Sequence, residues 1–339
     1  MIDLASSRDM HLGMAQSTIR EVLVDNAAAM FSYDRLDEPD TSFADQILKL
    51  ANVPAHKWRV VSTKGNYSSY CLLSCALGIE RLVMPDNVAE RIRIAWTRWG
   101  VRVARTSADD YFADDQDELQ SLIRKGYRYF YYNPANGRLP PIGNWLRTLE
   151  LFLRHDVYMI FDADCLFTRH TVGAMPIEYV AASPGSLITC GSFSKEWGVP
   201  SLRIGWALMD RRSARTVAAH KRSTLDLEPA FAKAVAAAML RNRNVFLHKH
   251  ALEERMRAFC AALRALGVAF IHPDTGVNVF IRSSGSSGAF KCRLLQRGVL
   301  VKEGSEFGGQ HKQYVRAVIS ERSDVLVDAA RLIAGCVDS

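Results

Sequence analysis

Between Trp58 and Asp210 the chain alternates short apolar runs with amphipathic segments, and this alternation limits the fold more than any other feature. The runs WRVVST (58–63), RLVMP (81–85), VRVART (101–106), YRYFYYNP (127–134), VYMIFDAD (157–164), SLITCGSFS (186–194) and RIGWALMD (203–210) read as strands, and YVAASP (179–184) continues the series. SSYCLLSCALG (68–78), AERIRIAWTRWG (89–100), DELQSLIRKG (117–126) and GNWLRTLELFLRHD (143–156) fall between them and read as helices. Strand and helix in turn predict an α/β architecture: a mostly parallel sheet covered by helices on both faces, with ligands at the carboxyl ends of the strands. A helix is expected around Ala15–Met30, and another in SFADQILKLANV with Ser42 as its N-cap. Beyond Asp226 the pattern becomes helical. It then gives a small α+β unit built from VAFIHPDTGVNVFIRS, FKCRLLQRG, VLVKEG, YVRAVIS and a closing helix DVLVDAARLIAGC. The expected organisation is an N-terminal arm and helix (1–30), a large domain (31–240) and a small C-terminal domain (241–339). A chain of 339 residues suits such a division better than one core.

The net charge of +7 is scattered. No basic stripe with interleaved aromatics, zinc spacing or helix-turn-helix pattern accompanies it, so nucleic acid is not an expected partner. No run approaches 18 apolar residues, and no membrane span is expected. The opening MIDLASSRDMHLG lacks a charged start leading into an apolar run, so no signal peptide is expected. Seven cysteines without a CxxC pair, mostly in apolar runs, read as reduced thiols of a cytoplasmic protein.

Chemistry concentrates in GSFSKEWGVPSLRIGW (191–206). A lysine at a strand end, Lys195, can form an imine with an aldehyde if its amine is partly desolvated. The hydroxyls of Ser192 and Ser194 before it and the guanidinium of Arg203 after it can converge on a phosphate dianion. Most single loop lysines are merely exposed; here the whole sixteen-residue setting carries the reading. Asp162 ends an apolar strand, where a carboxylate is costly unless paired. STKGNYSS (62–69) joins strand, glycine turn and helix start, so backbone N–H groups at Gly65 and Asn66 can receive an anion.

The 191–206 stretch resembles the SxSKxxGxxGxRxG signature of the class I/II aminotransferases, pyridoxal 5′-phosphate (PLP) enzymes of fold type I, with Ser201 in place of the second glycine. The resemblance runs over roughly residues 3–335. It implies the aspartate-aminotransferase-like PLP-dependent transferase fold, with Lys195 holding the cofactor as a Schiff base. It further implies Ser192, Ser194 and Arg203 as phosphate ligands with Gly65 and Asn66 near the phosphate, and Asp162 paired with the pyridinium nitrogen. Asn133, opening the NP of YYNPANG, would donate to the ring oxygen, and Arg316 in YVRAVIS would bind the substrate α-carboxylate. The opening residues resemble histidinol-phosphate aminotransferases; Tyr33 then matches a tyrosine reaching the neighbouring subunit's cofactor, which implies a homodimer with shared active sites. The activity implied is transamination between an amino acid and a keto acid. The alternative is a PLP-dependent lyase, decarboxylase or cyclase of specialised biosynthesis.

Three departures matter. Cys165 stands where the family has a tyrosine near the ring oxygen. PDNVAER (85–91) offers no stacking aromatic, which leaves Trp96 or Trp99 to substitute. The asparagine of the N-terminal arm is missing from SSRDMH, with Arg8 as a replacement. Asp164 is assigned no role.

Overall fold

In a computed structural model of the protein, residues 1–6, 16–25, 27–28, 41–134, 139–165, 168, 170, 176–195, 197–241, 245–283 and 285–337 are described. The strands in chain order are β1 (Ile2–Asp3), β2 (Trp58–Thr63), β3 (Arg81–Pro85), β4 (Arg102–Thr106), β5 (Tyr129–Tyr132), β6 (Tyr158–Asp162), β7 (Leu187–Ser192), β8 (Gly205–Asp210), β9 (Phe270–Ile271), β10 (Asn278–Arg282), β11 (Val299–Leu300), β12 (Lys302–Glu303) and β13 (Tyr314–Val318). Seven of them form one sheet in the order β2-β8-β7-β6-β5-β3-β4. All its strands run the same way except β8, which is antiparallel to both neighbours.

Side-chain alternation along the strands divides the core in two. Met159 and Phe161 of β6 pack with Phe43, Leu119, Leu149 and Val235 on one face. Ile160 faces the other way, with Leu73, Ile92, Trp96 and Val217. Helices therefore cover both faces, as the alternation requires. Tyr179–Ala181, read as continuing the strand series, belongs to a helix, Pro176–Ala181, opened by its proline. The helix expected over Ala15–Met30 is described as Gln16–Asp25. Ser42 lies inside the first turn of helix Thr41–Leu50, where its hydroxyl accepts from Arg241 at 2.9 Å.

A second, antiparallel sheet has the order β12-β13-β10-β9. Its core takes in Val279, Ile281, Val315, Ala317 and the closing helix Ser323–Val337. The beginning of the chain joins this unit: β1 pairs with β11, and Leu4 is fully buried. No helix among the described residues is long and apolar enough to cross a membrane.

Candidate active site

Because β8 runs against its neighbours, its first residue lies at the edge where β2 and β7 end. Thr63, Gly205 and Ser192 stand side by side across the three strands. Gly205 has no room for a side chain: a Cβ there would lie 2.8 Å from the Gly65 Cα and 2.7 Å from the Gly191 carbonyl oxygen. Gly65 turns the chain from β2 into helix Asn66–Leu77 with φ 94°, a conformation that favours glycine.

The connection from β7 to β8 carries the lysine. It is pinned from below by Phe193 and Trp197, both buried and stacked with ring centroids 4.6 Å apart. Backbone bonds from Val199 to Phe193 and from Phe193 to Ile204 close the loop. Arg203, a non-glycine residue at φ 49°, donates from Nη2 to the Lys64 carbonyl at 3.2 Å. The same nitrogen lies 3.2 Å from where a Gly65 Cβ would be. Gly65, Ser192 and Arg203 thus converge at one corner, and the backbone N–H of Ser194 donates to the Ser192 hydroxyl. Helix N-terminus, hydroxyls and guanidinium together are the donor set a phosphate monoester requires.

Asp162 ends β6 on the face covered by Tyr70, Trp96 and Tyr131. Its carboxylate is buried and receives four neutral donors. Asn133 Nδ2 donates at 2.6 Å and the Tyr131 hydroxyl at 2.5 Å to Oδ2, Asn66 Nδ2 donates at 2.6 Å to Oδ1, and the Tyr70 hydroxyl also donates. Burial, and then the charge of Asp164, raise its pKa to about 6 against the pull of the tyrosine hydrogen bonds and Lys195. The tyrosine hydroxyls are themselves held well above their usual range, by burial first and Asp162 second.

Lys195 Nζ lies 2.8 Å from Asp164 Oδ2. Burial, the largest influence, pulls its pKa down, while the charge and hydrogen bond of Asp164 together with Cys165 push it up against Arg91, and the net direction is upward. Asp164 Oδ1 accepts from Ser192 Oγ at 3.2 Å and from Asn66 Nδ2, so one asparagine amide bridges both carboxylates. The Asn66 side chain thus turns to the carboxylates while its backbone opens the helix. Its own Oδ1 is buried without a hydrogen-bond partner.

Arg316 reaches the cleft from β13, its neighbours Val315 and Ala317 pointing into the small core. Its guanidinium lies over the Phe307 ring, 4.7 Å from the centroid, and Nη2 donates to the Ala5 carbonyl at 3.1 Å. Among the described residues no carboxylate pairs with it. Burial, and then the charge of Arg91, pull its pKa down to about 10, and an incoming carboxylate would reverse that.

The two tryptophans expected to replace the stacking aromatic do not share one setting. Trp96 is fully buried and stacks on Tyr70 at 5.2 Å, behind the Asp162 carboxylate. Trp99 closes helix Glu90–Arg98 and is exposed. The aromatic at the mouth of the site is Tyr67, partly exposed, upon which Arg91, Lys195, Asp162 and Asp164 all act electrostatically. Cys165 is buried in the small core, its carbonyl accepting from Thr275 Oγ1 at 3.0 Å. Tyr33, Arg8, Asn136 and Gly137 lie outside the described residues. Sequence reasoning missed Tyr67, Tyr70, Tyr131 and the Lys195–Asp164 pair. A buried tyrosine needs a partner for its hydroxyl, and that was the available signal for Tyr70 and Tyr131.

A mostly parallel sheet with a strand-end lysine, a phosphate-type corner and a buried carboxylate defines the class, and PLP fits the donors present. The family description "Aminotransferase class I and II" matches residues 94–330, and the chain belongs to that family. An aspartate aminotransferase of Thermococcus kodakarensis is 26% identical over 250 residues, covering 68% of this chain and 65% of the relative. Histidinol-phosphate aminotransferase 1 of Mesorhizobium japonicum is 24% identical over 236 residues, covering 67% and 62%. The matched segment therefore spans just under two thirds of each relative's own length. Among solved structures, the multiple substrate aminotransferase of Thermococcus profundus superposes with a TM-score of 0.84 at 19% identity, over 99% of this chain and 91% of that one. The fold is that of these enzymes.

Proposed function

We propose that this protein is a PLP-dependent aminotransferase that takes its cofactor on Lys195 and acts on an amino acid and a keto acid. The observation that carries the reading is the convergence of Lys195, Asp162 and the Gly65–Ser192–Arg203 corner at one edge of the sheet. Ser192, Ser194, Arg203 and the helix start at Gly65 and Asn66 would hold the phosphate. Asp162 would face the ring nitrogen, and Asn133, at the same strand edge, the ring oxygen. When bound, PLP supplies an aldehyde and an electron-accepting ring. Arg316 binds and orients the substrate carboxylate, because its buried guanidinium offers a planar, bidentate donor. Lys195, once freed, serves as the base that takes the substrate α-proton and returns it. Tyr33 is proposed to serve a neighbouring subunit in a homodimer. A cytoplasmic setting accords with seven cysteines that form no CxxC pair and lie mostly in apolar runs.

The test is the visible spectrum with added PLP, wild type beside Lys195→Ala, followed by amino acids with and without a keto acid. A band that forms in wild type, is absent in the variant and turns over only with both substrates present supports the proposal. Product release without a keto acid points instead to lyase, decarboxylase or cyclase chemistry. A variant spectrum like that of wild type removes Lys195 from its role.

A further inference from the structure

Asp164 lies at the site and has no part in the proposed chemistry. It lies two residues after Asp162 and presents its carboxylate to the same pocket, yet the two are dressed differently. Among the described residues Asp162 receives only neutral donors. Asp164 holds the lysine: Nζ sits 2.8 Å from Oδ2, while Ser192 Oγ at 3.2 Å and Asn66 Nδ2 fix Oδ1. These partners come from three separate segments, namely the end of β7, the lysine loop and the helix start after β2. The carboxylate is therefore positioned by the fold and not by a local turn.

Exposure decides how much the pair can do. The two side chains are 15% and 16% exposed, so the contact is not the screened surface type that contributes little. Removing one partner would leave the other charge largely buried and uncompensated. An amine attacks a carbonyl only through its free lone pair, so a carboxylate that favours the ammonium form also restrains the nucleophile.

We propose that Asp164 is the positioning residue of Lys195: its carboxylate fixes the amine at the strand edge and keeps that nitrogen protonated until the pair is opened. This rests on the reading of Lys195 as the cofactor lysine, but it concerns the apoprotein and can be tested without PLP. Burial alone would make the lysine more reactive near neutrality. Asp164 first and Cys165 next act the other way, Arg91 acts with burial, and the net direction is upward.

The experiment is pH-dependent labelling of the apoprotein with a small amine-selective reagent, read at Lys195 by peptide mass spectrometry. The urea-unfolded chain gives the reference midpoint. In wild type the Lys195 midpoint lies above the reference; in Asp164→Asn, which keeps the shape and loses the charge, it falls below it. A shift of one pH unit is about a tenfold rise in labelling at a fixed pH below both midpoints. Asp164→Glu, which keeps the charge, retains a midpoint above the reference. A purely structural role would lower the melting temperature of Asp164→Asn and leave the midpoint in place, and that result overturns the proposal. If the asparagine variant does not fold, wild type still decides: a midpoint at or below the reference overturns the proposal, and one above it that persists in high salt, as a pair shielded from solvent requires, supports it. A normal PLP band with an unmoved midpoint sinks the Asp164 proposal alone. A moved midpoint without any PLP band sinks the cofactor reading and leaves the pair standing.

Discussion

Two buried carboxylates beside the large sheet, Glu228 and Asp162, are accommodated by opposite means. Glu228 meets a cation: Lys221 Nζ contacts Oε2, and the same ammonium donates to the carbonyl and hydroxyl of Ser62, each at 2.9 Å. The Ser62 hydroxyl closes the cluster by donating to Glu228 at 2.6 Å. Asp162 meets tyrosine hydroxyls and asparagine amides, and among the described residues no cation contacts it. The first arrangement is electrically complete. The second leaves a negative charge that an incoming positive group can still neutralise. A charge held by neutral donors marks where a ligand is expected, and a closed ion pair marks where strands are held to helices.

Three experiments test this contrast. The largest effect is expected at the closed pair. Glu228→Ala strands Lys221, whose side chain is 9% exposed, and should cost about 3–5 kcal/mol in chemical denaturation. Lys221→Met with Glu228→Leu should recover most of that, because the pair's net contribution is small. Recovery that fails would mean the cluster specifies structure beyond its charges.

Next comes the pH dependence of Asp162. Its folded pKa of about 6 lies above the ordinary 3.8. Below 3.8 both folded and unfolded chains hold the proton, and the group contributes no difference. Between 3.8 and 6 only the folded chain holds it, so stability falls as pH rises. Above 6 the cost is complete, on the order of 3 kcal/mol. The stability of wild type relative to Asp162→Asn should therefore decline across that window and level off above it, as read from denaturation at a series of pH values. A constant difference would mean that the neutral donors compensate the charge in full.

The smallest effect tests one donor. Tyr131→Phe removes a hydrogen bond to a charged group and should cost about 1.5–3 kcal/mol. It should also raise the Asp162 pKa further, since the Tyr131 bond is the first among those lowering it. Infrared titration of the carboxyl band measures this. The same substitution at Tyr70 should move the band less.

Much of the fold was legible because it depends on local pattern. Apolar runs and their spacing placed all seven large-sheet strands within two residues of where they lie, and glycine marked the turn at 65. The lysine loop was legible for the same reason, being contiguous. What could not be read was whatever depends on strand order. Tyr70, Tyr131, Asn66 and Asn133 meet Asp162 from segments far apart in the chain, and only the adjacency of β5 and β6 and the crossing of helix Asn66–Leu77 bring them together. Trp96 shows the converse: as a helical aromatic it was a fair candidate for the cleft, but its helix turns that face inward.

The position of Gly205 bears on how the molecule holds together under load. β2 is an edge strand, gripped by β8 alone, and edges are where sheets fray first. The corner at Gly205 is assembled from the turn after that edge strand and from the two strands inside it. Any anion gripped there spans the seam like a clasp. Its binding favours the closed sheet over the frayed one by mass action, so an open border of the sheet is also one that a bound anion would reinforce.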